Sequence, residues 1–346
     1  MPGVTLAAPP GKTELVPRWH LAAGDYVVAA KISRDGRICI VGTGGGSIIG
    51  VDVESGRELF RHAAHKAGVL GVSIAPDGMK FATCGQEPNA KVWRATGELL
   101  RELPGGGAQW VEHVAWSPTG DRIAVAAGRK VRTWSESNAP SAEPDPLPST
   151  VSNIAWRADG TALAATCYGG VYVWPFVAGA KDRRFEWKGS LISLAWSPDA
   201  KVIACGSQDC SVHFWRLATG QDSQMSGYPS KPKALAWDSE SKLLATAGDS
   251  TVTVWDFRGK GPEGTHPIQL EAHKSACTRL AFSPRKSVLA SGSQDHSVLL
   301  WEPRRGTQPI LYAFLEDEVT TLEWHPEHRG LLGGDASGNV RLWEVT

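Results

Sequence analysis

The chain has 346 residues, 42% of them apolar, with 15 Trp, and its 36 Lys and Arg balance 36 Asp and Glu to a formal net charge of zero. Such a balance excludes a broad nucleic-acid or anionic-membrane footprint. No apolar stretch approaches the roughly 18 residues of a membrane span, and the six Cys are scattered rather than arranged as a disulfide framework.

Taken in order, the chain opens with "MPGVTLAAPPGKTELVPRW". This has neither a basic leader nor a continuous apolar core, so a cytoplasmic location is expected. "TELVPRWHL" (Thr13 to Leu21) reads as a strand with no hairpin of its own. From there a unit repeats. Val51, Trp93, Trp134, Trp174, Trp215, Trp255, Trp301 and Trp343 recur every 40 to 46 residues, each closing a short apolar run such as "VTVWD" or "VRLWE". About 20 residues upstream of each lies a second signature, among them "KISRDG", "SIAPDG", "AWSPTG", "AWSPDA" and "AFSPRK". A fixed period of this length marks a repeat architecture. The length therefore needs no domain boundary, and residues 1–346 are expected to form one domain.

The seventh copy shows how a unit is built. "CTRLAFSP" is an apolar strand entering a turn, "VLASGS" a second strand, "SVLLW" a third, and "PILYAF" a weaker fourth. Four short strands with Gly, Pro and Asp at the turns predict an up-and-down antiparallel sheet. A sheet apolar on both faces must pack against its neighbours around an axis, which is the blade of a propeller. The last copy stops after its third strand, so residues 13–21 are expected to supply the missing outer strand and close eight blades into a ring. An unpaired outer edge would remain otherwise. In the third copy, residues 135–150 carry three Pro between 144 and 148. They are expected to form an inter-blade loop in place of a good outer strand.

Here the residues resemble the WD40-repeat family: "EAH" at 271–273, "AFSP" at 281–284, "LASGSQD" at 289–295 and "VLLWE" at 298–302, with the literal dipeptide at Trp255-Asp256. The resemblance implies an all-β, eight-bladed WD40 β-propeller. It also implies a hydrogen-bonded tetrad of His273, Ser291, Asp295 and Trp301, expected complete only in blade seven. Blade two keeps His65 and Trp93, but Cys84 is read at the Ser position with no clear acid. Blade five has Trp187 and Cys205 in the His and Ser places, and blade six has Tyr228 in the His place. The Ala, Gly and Pro bias of a stand-alone propeller resembles bacterial WD40 proteins.

Other chemistries compete with this reading. His273, Ser291 and Asp295 could compose a nucleophilic triad, but no "GxSxG" elbow exists, and the expected reading is no enzyme. The glycine runs at 42–47, 104–109 and 258–264 are neither Walker A nor dinucleotide fingerprints, so no cofactor is expected. The pairs His62/His65 and His325/His328, with Cys205, Cys210 and His213, leave a metal- or small-ligand-binding propeller as the alternative, though the spacing is not that of zinc sites and no ligand set follows. A hydrolase comes third. The acidic run Glu316 to Glu318 reads as a solvated rim.

The resemblance locates function on the face made by the loops entering each first strand and the turns after each second strand. Positions six and four residues before the Trp or apolar residue that follows the Ala of "AWSP" or its equivalent project there. These include Tyr26, Trp110, Glu112, Ile192, Lys231 and Lys233, with Tyr168 and Gln208 from the turns. An aromatic side chain at such a position is not required for blade packing, which Trp116, Trp156, Trp196, Trp237 and Trp324 supply. Trp110 is the leading expected contact, because Trp buries much area at little rotamer cost. The expected role is a scaffold for one or more protein partners, itself a monomer, binding neither nucleic acid nor membrane.

Overall fold

A computed structural model describes residues 13–135 and 140–345, and among these every regular element is a strand. The strands form eight sheets. Blade one (Val27–Ile32, Ile38–Thr43, Ser47–Asp52 and Glu58–Ala63) sets the pattern of four antiparallel strands in chain order. Blade seven repeats it with Cys277–Phe282, Leu289–Ser293, Ser297–Trp301 and Leu311–Phe314.

The second strands are buried along nearly their whole length, completely in Leu243–Ala247 and Leu289–Ser293, because a neighbouring blade covers each face. Eight apolar clusters result, each shared by two adjacent blades. One joins Ile40 and Ile48 of blade one to Phe81 and Trp93 of blade two. Another joins Leu332 and Leu342 of blade eight to Val27 and Val51 of blade one, which completes the ring. Each fully buried Ile, Leu or Phe contributes about 1.5–3 kcal/mol of transfer free energy. The first-strand tryptophans add a directed link: the indoles of Trp156, Trp196 and Trp324 donate to the carbonyls of Ala115, Ala155 and Ala281 in the preceding blade, at 3.0, 3.1 and 2.9 Å.

The ring closes through its beginning, as the truncated last repeat predicts. Pro17–Ala22 pairs antiparallel with Asn339–Glu344, from Pro17 opposite Trp343 to Ala22 opposite Asn339. The expected single strand over 13–21 is, however, divided. Thr13–Glu14 runs parallel to Leu311–Phe314 of blade seven, and buried Leu15 makes the step between the blades. Leu15 N donates to the Tyr312 carbonyl at 2.7 Å and Glu344 N to the Val16 carbonyl at 2.9 Å, so the crossing itself is hydrogen-bonded.

Two blades depart from the pattern. The loop expected over 135–150 is corrected in part, because Pro140–Ala142 forms a three-residue outer strand on Lys130–Ser135. Proline confines that strand to the edge, where its missing N–H faces outward, and Pro144, Pro146 and Pro148 end the ladder. Residues 136–139 of this expected loop lie outside the described residues. In blade four the second and third segments merge in one run, Ala162–Pro175, which pairs first with Asn153–Trp156 and then with Arg183–Ser190. The chain passes through Gly169 and Gly170 at φ +99° and +134°. A Cβ on Gly170 would lie 2.1 Å from the Phe185 carbonyl oxygen, so only glycine fits there.

Candidate functional site: the loop rim and its buried polar networks

Strand register puts the expected contact residues on one rim. In most blades the first residue of the inner strand pairs with the last residue of the second, as in Val27 with Thr43, Val69 with Gly85 and Val111 with Ala127. The entering loop and the second-strand turn therefore meet at the same end of the sheet. A backbone hydrogen bond ties them in blade after blade: Gly44 N to Tyr26 O (2.8 Å), Gln86 N to Gly68 O (3.1 Å), Gln208 N to Ser190 O (2.9 Å) and Gln294 N to Ala276 O (2.9 Å).

On this rim Trp110 is 51% exposed and Tyr168 57%, and neither belongs to an inter-blade cluster. Each is nevertheless anchored through its backbone. The amide following Trp110, that of Val111, donates to the Glu87 carbonyl at 2.9 Å, and Tyr168 N donates to Ser149 Oγ at 2.9 Å. Tyr26 is exposed and Ile192 half-buried. Glu112 is less available than its spacing suggests. It is half-buried, one carboxylate oxygen is shut from solvent without a hydrogen-bond partner, and burial raises its pKa.

Lys231 and Lys233 form a pair through the residue between them. Pro232 is buried and both lysines are exposed. The Pro232 carbonyl accepts from Ser193 Oγ at 3.3 Å, and a Cβ on Gly206 would come within 1.8 Å of it. With the proline pressed onto blade five, the flanking lysines both turn outward. Lys231 Nζ donates to Gln208 Oε1 at 2.9 Å, which brings two of the expected residues together. The lysines line a cavity of about 530 Å³ sunk into the rim across blades five to eight, with Cys210, Gln294, Glu318 and Arg279. Arg279 had no place in the sequence reading. Its only signal there is one cation inside the otherwise apolar run "CTRLAF".

The expected tetrad exists in blade seven and has a fifth member. Ser291 Oγ accepts from the Trp301 indole at 2.8 Å and lies 2.7 Å from His273 Nε2. His273 Nδ1 lies 2.8 Å from Ser297 Oγ, whose hydroxyl donates to Asp295 Oδ1 at 2.5 Å. Burial opposes ionisation of Asp295, but His273, Ser297 and the Lys274 amide outweigh it and hold the carboxyl well below the ordinary range. Ser291 is bonded to an indole and fully buried, so its own hydroxyl is closed to a substrate.

Blade two carries a partial counterpart, one position from where the sequence places it. In blade two Thr83, one residue before Cys84, accepts from the Trp93 indole at 2.9 Å and lies 2.8 Å from His65 Nε2. Glu87 stands nearest the acid place, but its Oε2 is 3.6 Å from His65 Nδ1, which makes no hydrogen bond, so the tetrad is incomplete there. Blade six uses a phenol as the sequence suggests: Trp255 Nε1 donates to Tyr228 Oη at 2.7 Å, which lies 2.6 Å from Thr246 Oγ1. In blade five Trp187 stands in the His place, and His213 from the third strand lies over it at a ring-centroid separation of 3.5 Å.

Similar contacts engage three histidines of the metal-site alternative. His328 Nδ1 lies 2.6 Å from Ser283 Oγ, His325 Nδ1 accepts from the Glu327 amide, and His213 Nε2 lies 2.9 Å from Ser211 Oγ. Among the described residues no three His, Cys, Asp or Glu side chains gather as a metal ion would need.

Comparison with known proteins follows the same lines. Residues 26–263 match the family model described as the IFT122 first beta-propeller, and residues 264–302 and 310–344 match the WD domain, G-beta repeat. The WD repeat-containing protein slp1 of Schizosaccharomyces pombe is 26% identical over 287 residues, covering 80% of this chain and 49% of that protein. Protein FIZZY-RELATED 1 of Arabidopsis thaliana is 31% identical over 163 residues, covering 45% and 33%. Actin-interacting protein 1 of Caenorhabditis elegans is 22% identical over 291 residues, covering 81% and 47%. The chain thus spans between a third and a half of the length of these relatives. They are eukaryotic and give no support to the bacterial-type expectation. The crystal structure of the computationally designed Ika8 protein superposes with a TM-score of 0.81 at 23% identity, covering 96% of this chain and all of that one, which bears on the fold alone.

Proposed function

Because the chain belongs to the WD40-repeat β-propeller family, we propose that it is a non-enzymatic scaffold holding a protein partner on the rim that carries Trp110, Tyr168, Lys231 and Lys233. The observation that carries this reading is the exposure of Trp110 and Tyr168 on anchored backbone, outside every inter-blade cluster. Half-exposed aromatics held rigidly offer area at little entropic cost, which is the usual chemistry of an interface anchor. In this reading the chain works as a monomer in the cytoplasm, and six unpaired cysteines support a reducing compartment. Its balanced charge supports binding to neither nucleic acid nor membrane.

The test is binding of a captured, then purified, partner to wild type, Trp110→Ala and Met79→Ala. Met79 is 66% exposed between the first two strands of blade two, on the opposite rim. Trp110→Ala is expected to weaken binding by about 2 kcal/mol or more, with Met79→Ala near neutral. The reverse result would move the partner to the other rim.

A further inference from the structure

On the side of the ring, a proline-rich strap stands where blade three should have a full outer strand. In the seven other blades the residue three before the third-strand Trp, or before Val51 in its place, pairs with an outer-strand residue, as Ala90 does with Leu103, Val212 with Met225 and Val252 with Leu270. Val131 is the equivalent in blade three and has no such partner, because the ladder ends with Thr133 opposite Ala142. Residues 143–146 make no backbone hydrogen bond to another described residue. Contact is regained at Leu147, whose N–H donates to the Arg129 carbonyl at 2.8 Å while its own carbonyl accepts from Arg129 Nε at 2.5 Å.

The strap lies loosely against an aromatic wall of blade four. Tyr172 and Trp174 share one face of their strand, with rings stacked at a centroid separation of 6.5 Å. Two cavities of about 390 and 370 Å³ flank the strap, one lined by Pro144, Trp174 and Phe176, the other by Pro146, Pro148 and Tyr172. Trp174 is half-buried, whereas Trp215, Trp301 and Trp343, at the same place in other blades, are closed to solvent. Leu147 anchors the strap, buried in a cluster with Val131 and Leu163. One charge is matched: Arg132 Nη2 donates to Glu143 Oε1 at 2.6 Å, and Arg132 Nε is buried without a partner.

We propose that this side groove binds an acidic, proline-rich extended segment of a protein partner, and that the strap occupies the groove in cis until such a segment displaces it. The groove reads what the strap presents: an acid on Arg132, an apolar side chain in the place of Leu147, and both backbone groups of that residue on Arg129. Prolines lie along the aromatic wall. Aromatic-lined grooves suit such segments, because a polyproline II backbone is already ordered and loses little entropy on binding. A strap held by two ladder positions and one anchor detaches at less cost than a full outer strand, since few hydrogen bonds break. As a tethered ligand it sets a local concentration, on the order of millimolar, against which a partner competes. The groove is apart from the loop rim, and its test does not depend on that reading.

The probe is the fluorescein-labelled peptide Ser-Ala-Glu-Pro-Asp-Pro-Leu-Pro-Ser, the sequence of residues 141–149, read by anisotropy against the full chain. Wild type is expected to bind it weakly, and Leu147→Ser, which unseats the strap, about tenfold more tightly. A peptide of the same residues in scrambled order should bind Leu147→Ser about tenfold more weakly than the probe. Replacing the peptide's Glu by Gln should weaken binding to Leu147→Ser, but not to Leu147→Ser combined with Arg132→Gln, since the paired partner is then gone. If Leu147→Ser fails to fold, Glu143→Gln, altered at an exposed side chain, carries the same comparison with a gain of about threefold. No binding to either loosened variant, equal affinity of both for probe and scrambled peptide, or affinity unchanged from wild type overturns the proposal. A wild type that is dimeric by light scattering and made monomeric by Leu147→Ser would assign the groove to a second copy, and overturns it too.

Discussion

Thr83 Oγ1 stands 2.8 Å from His65 Nε2 and, from the other side, 2.9 Å from the indole nitrogen of Trp93, so one buried hydroxyl joins an entering loop, a second strand and a third strand of blade two. All three residues are closed to water. The hydroxyl is the shared node: its loss strands two nitrogens at once, in a network where His65 Nδ1 already lacks a hydrogen-bond partner.

Thr83→Ala is therefore expected to destabilise by about 2–3 kcal/mol, leaving both an imidazole and an indole nitrogen buried and unpaired. Thr83→Ser should retain most of the stability. Cys84→Ala, next in the chain, deletes one buried sulfur and should cost only about 1 kcal/mol. Urea denaturation of the three variants checks this, and equal losses for Thr83→Ala and Cys84→Ala would refute it.

His65 also gives stability a pH dependence. Burial first, and then the charge of Lys91, push its imidazole down to about 4, so it stays neutral in the fold while the unfolded chain protonates near its ordinary pKa of about 6.5. Stability from this group is complete above about pH 6.5 and is lost progressively as pH falls toward 4. His113, His213, His325 and His328 are shifted in the same direction, so the test is a difference. The urea midpoint of His65→Gln should change less between about pH 7 and 4.5 than that of wild type. Parallel curves would contradict the assignment. Asp295, whose carboxyl is depressed, adds a loss at still lower pH, below its unfolded value of about 4.

The first-strand tryptophans separate packing from hydrogen bonding. Trp156 donates across the blade interface to Ala115 O, whereas the buried indole nitrogen of Trp237 has no partner. Trp156→Phe should cost about 1 kcal/mol more than Trp237→Phe, since both lose similar ring area and only one loses a bond. Thermal unfolding of the pair measures it, and a larger loss at Trp237 would count against the interblade link.

Charge on the rim should govern encounter more than residence. Reversing Lys231 and Lys233 to Glu is expected to slow association of the purified partner and flatten its salt dependence, with a smaller effect on dissociation. Stopped-flow or surface kinetics at two ionic strengths would show it. An unchanged association rate at both would exclude these lysines from the encounter.

Much of the fold was legible because the repeat is. The period of the tryptophans and the incomplete last copy were enough to count eight blades and to expect closure by the segment containing Pro17–Ala22. Local irregularities were not. Thr83 was missed by one position, although it stands ten residues before Trp93, just as Ser291 stands ten before Trp301. Glu87 is not legible as a neighbour of His65, because the family pattern places an Asp, not a Glu, beside that imidazole. The fused run of blade four depends on Gly170 meeting the Phe185 carbonyl, a tertiary contact that no local pattern announces. On the rim, exposure of Trp110 and Tyr168 followed from their place in the repeat. Arg279 did not stand out, because its weight comes from Lys231 and Lys233, which lie on another blade.

The two clasps formed by Thr13–Glu14 and Pro17–Ala22 set the order in which the ring can assemble. Hairpins within a blade join residues a few positions apart, but the pairing of Pro17 with Trp343 spans nearly the whole chain. Its loop-closure entropy is repaid only once the intervening blades have shortened the path between the ends. Blades can condense one upon another from any starting point, while the clasp, with the greatest sequence separation among the described strand pairings, is expected to form late. Until it forms, blade eight presents an open strand edge able to accept the same segment from another copy. Exchange of that strand would give an interlocked pair, and the local concentration this tether provides sets the protein concentration at which exchange would compete.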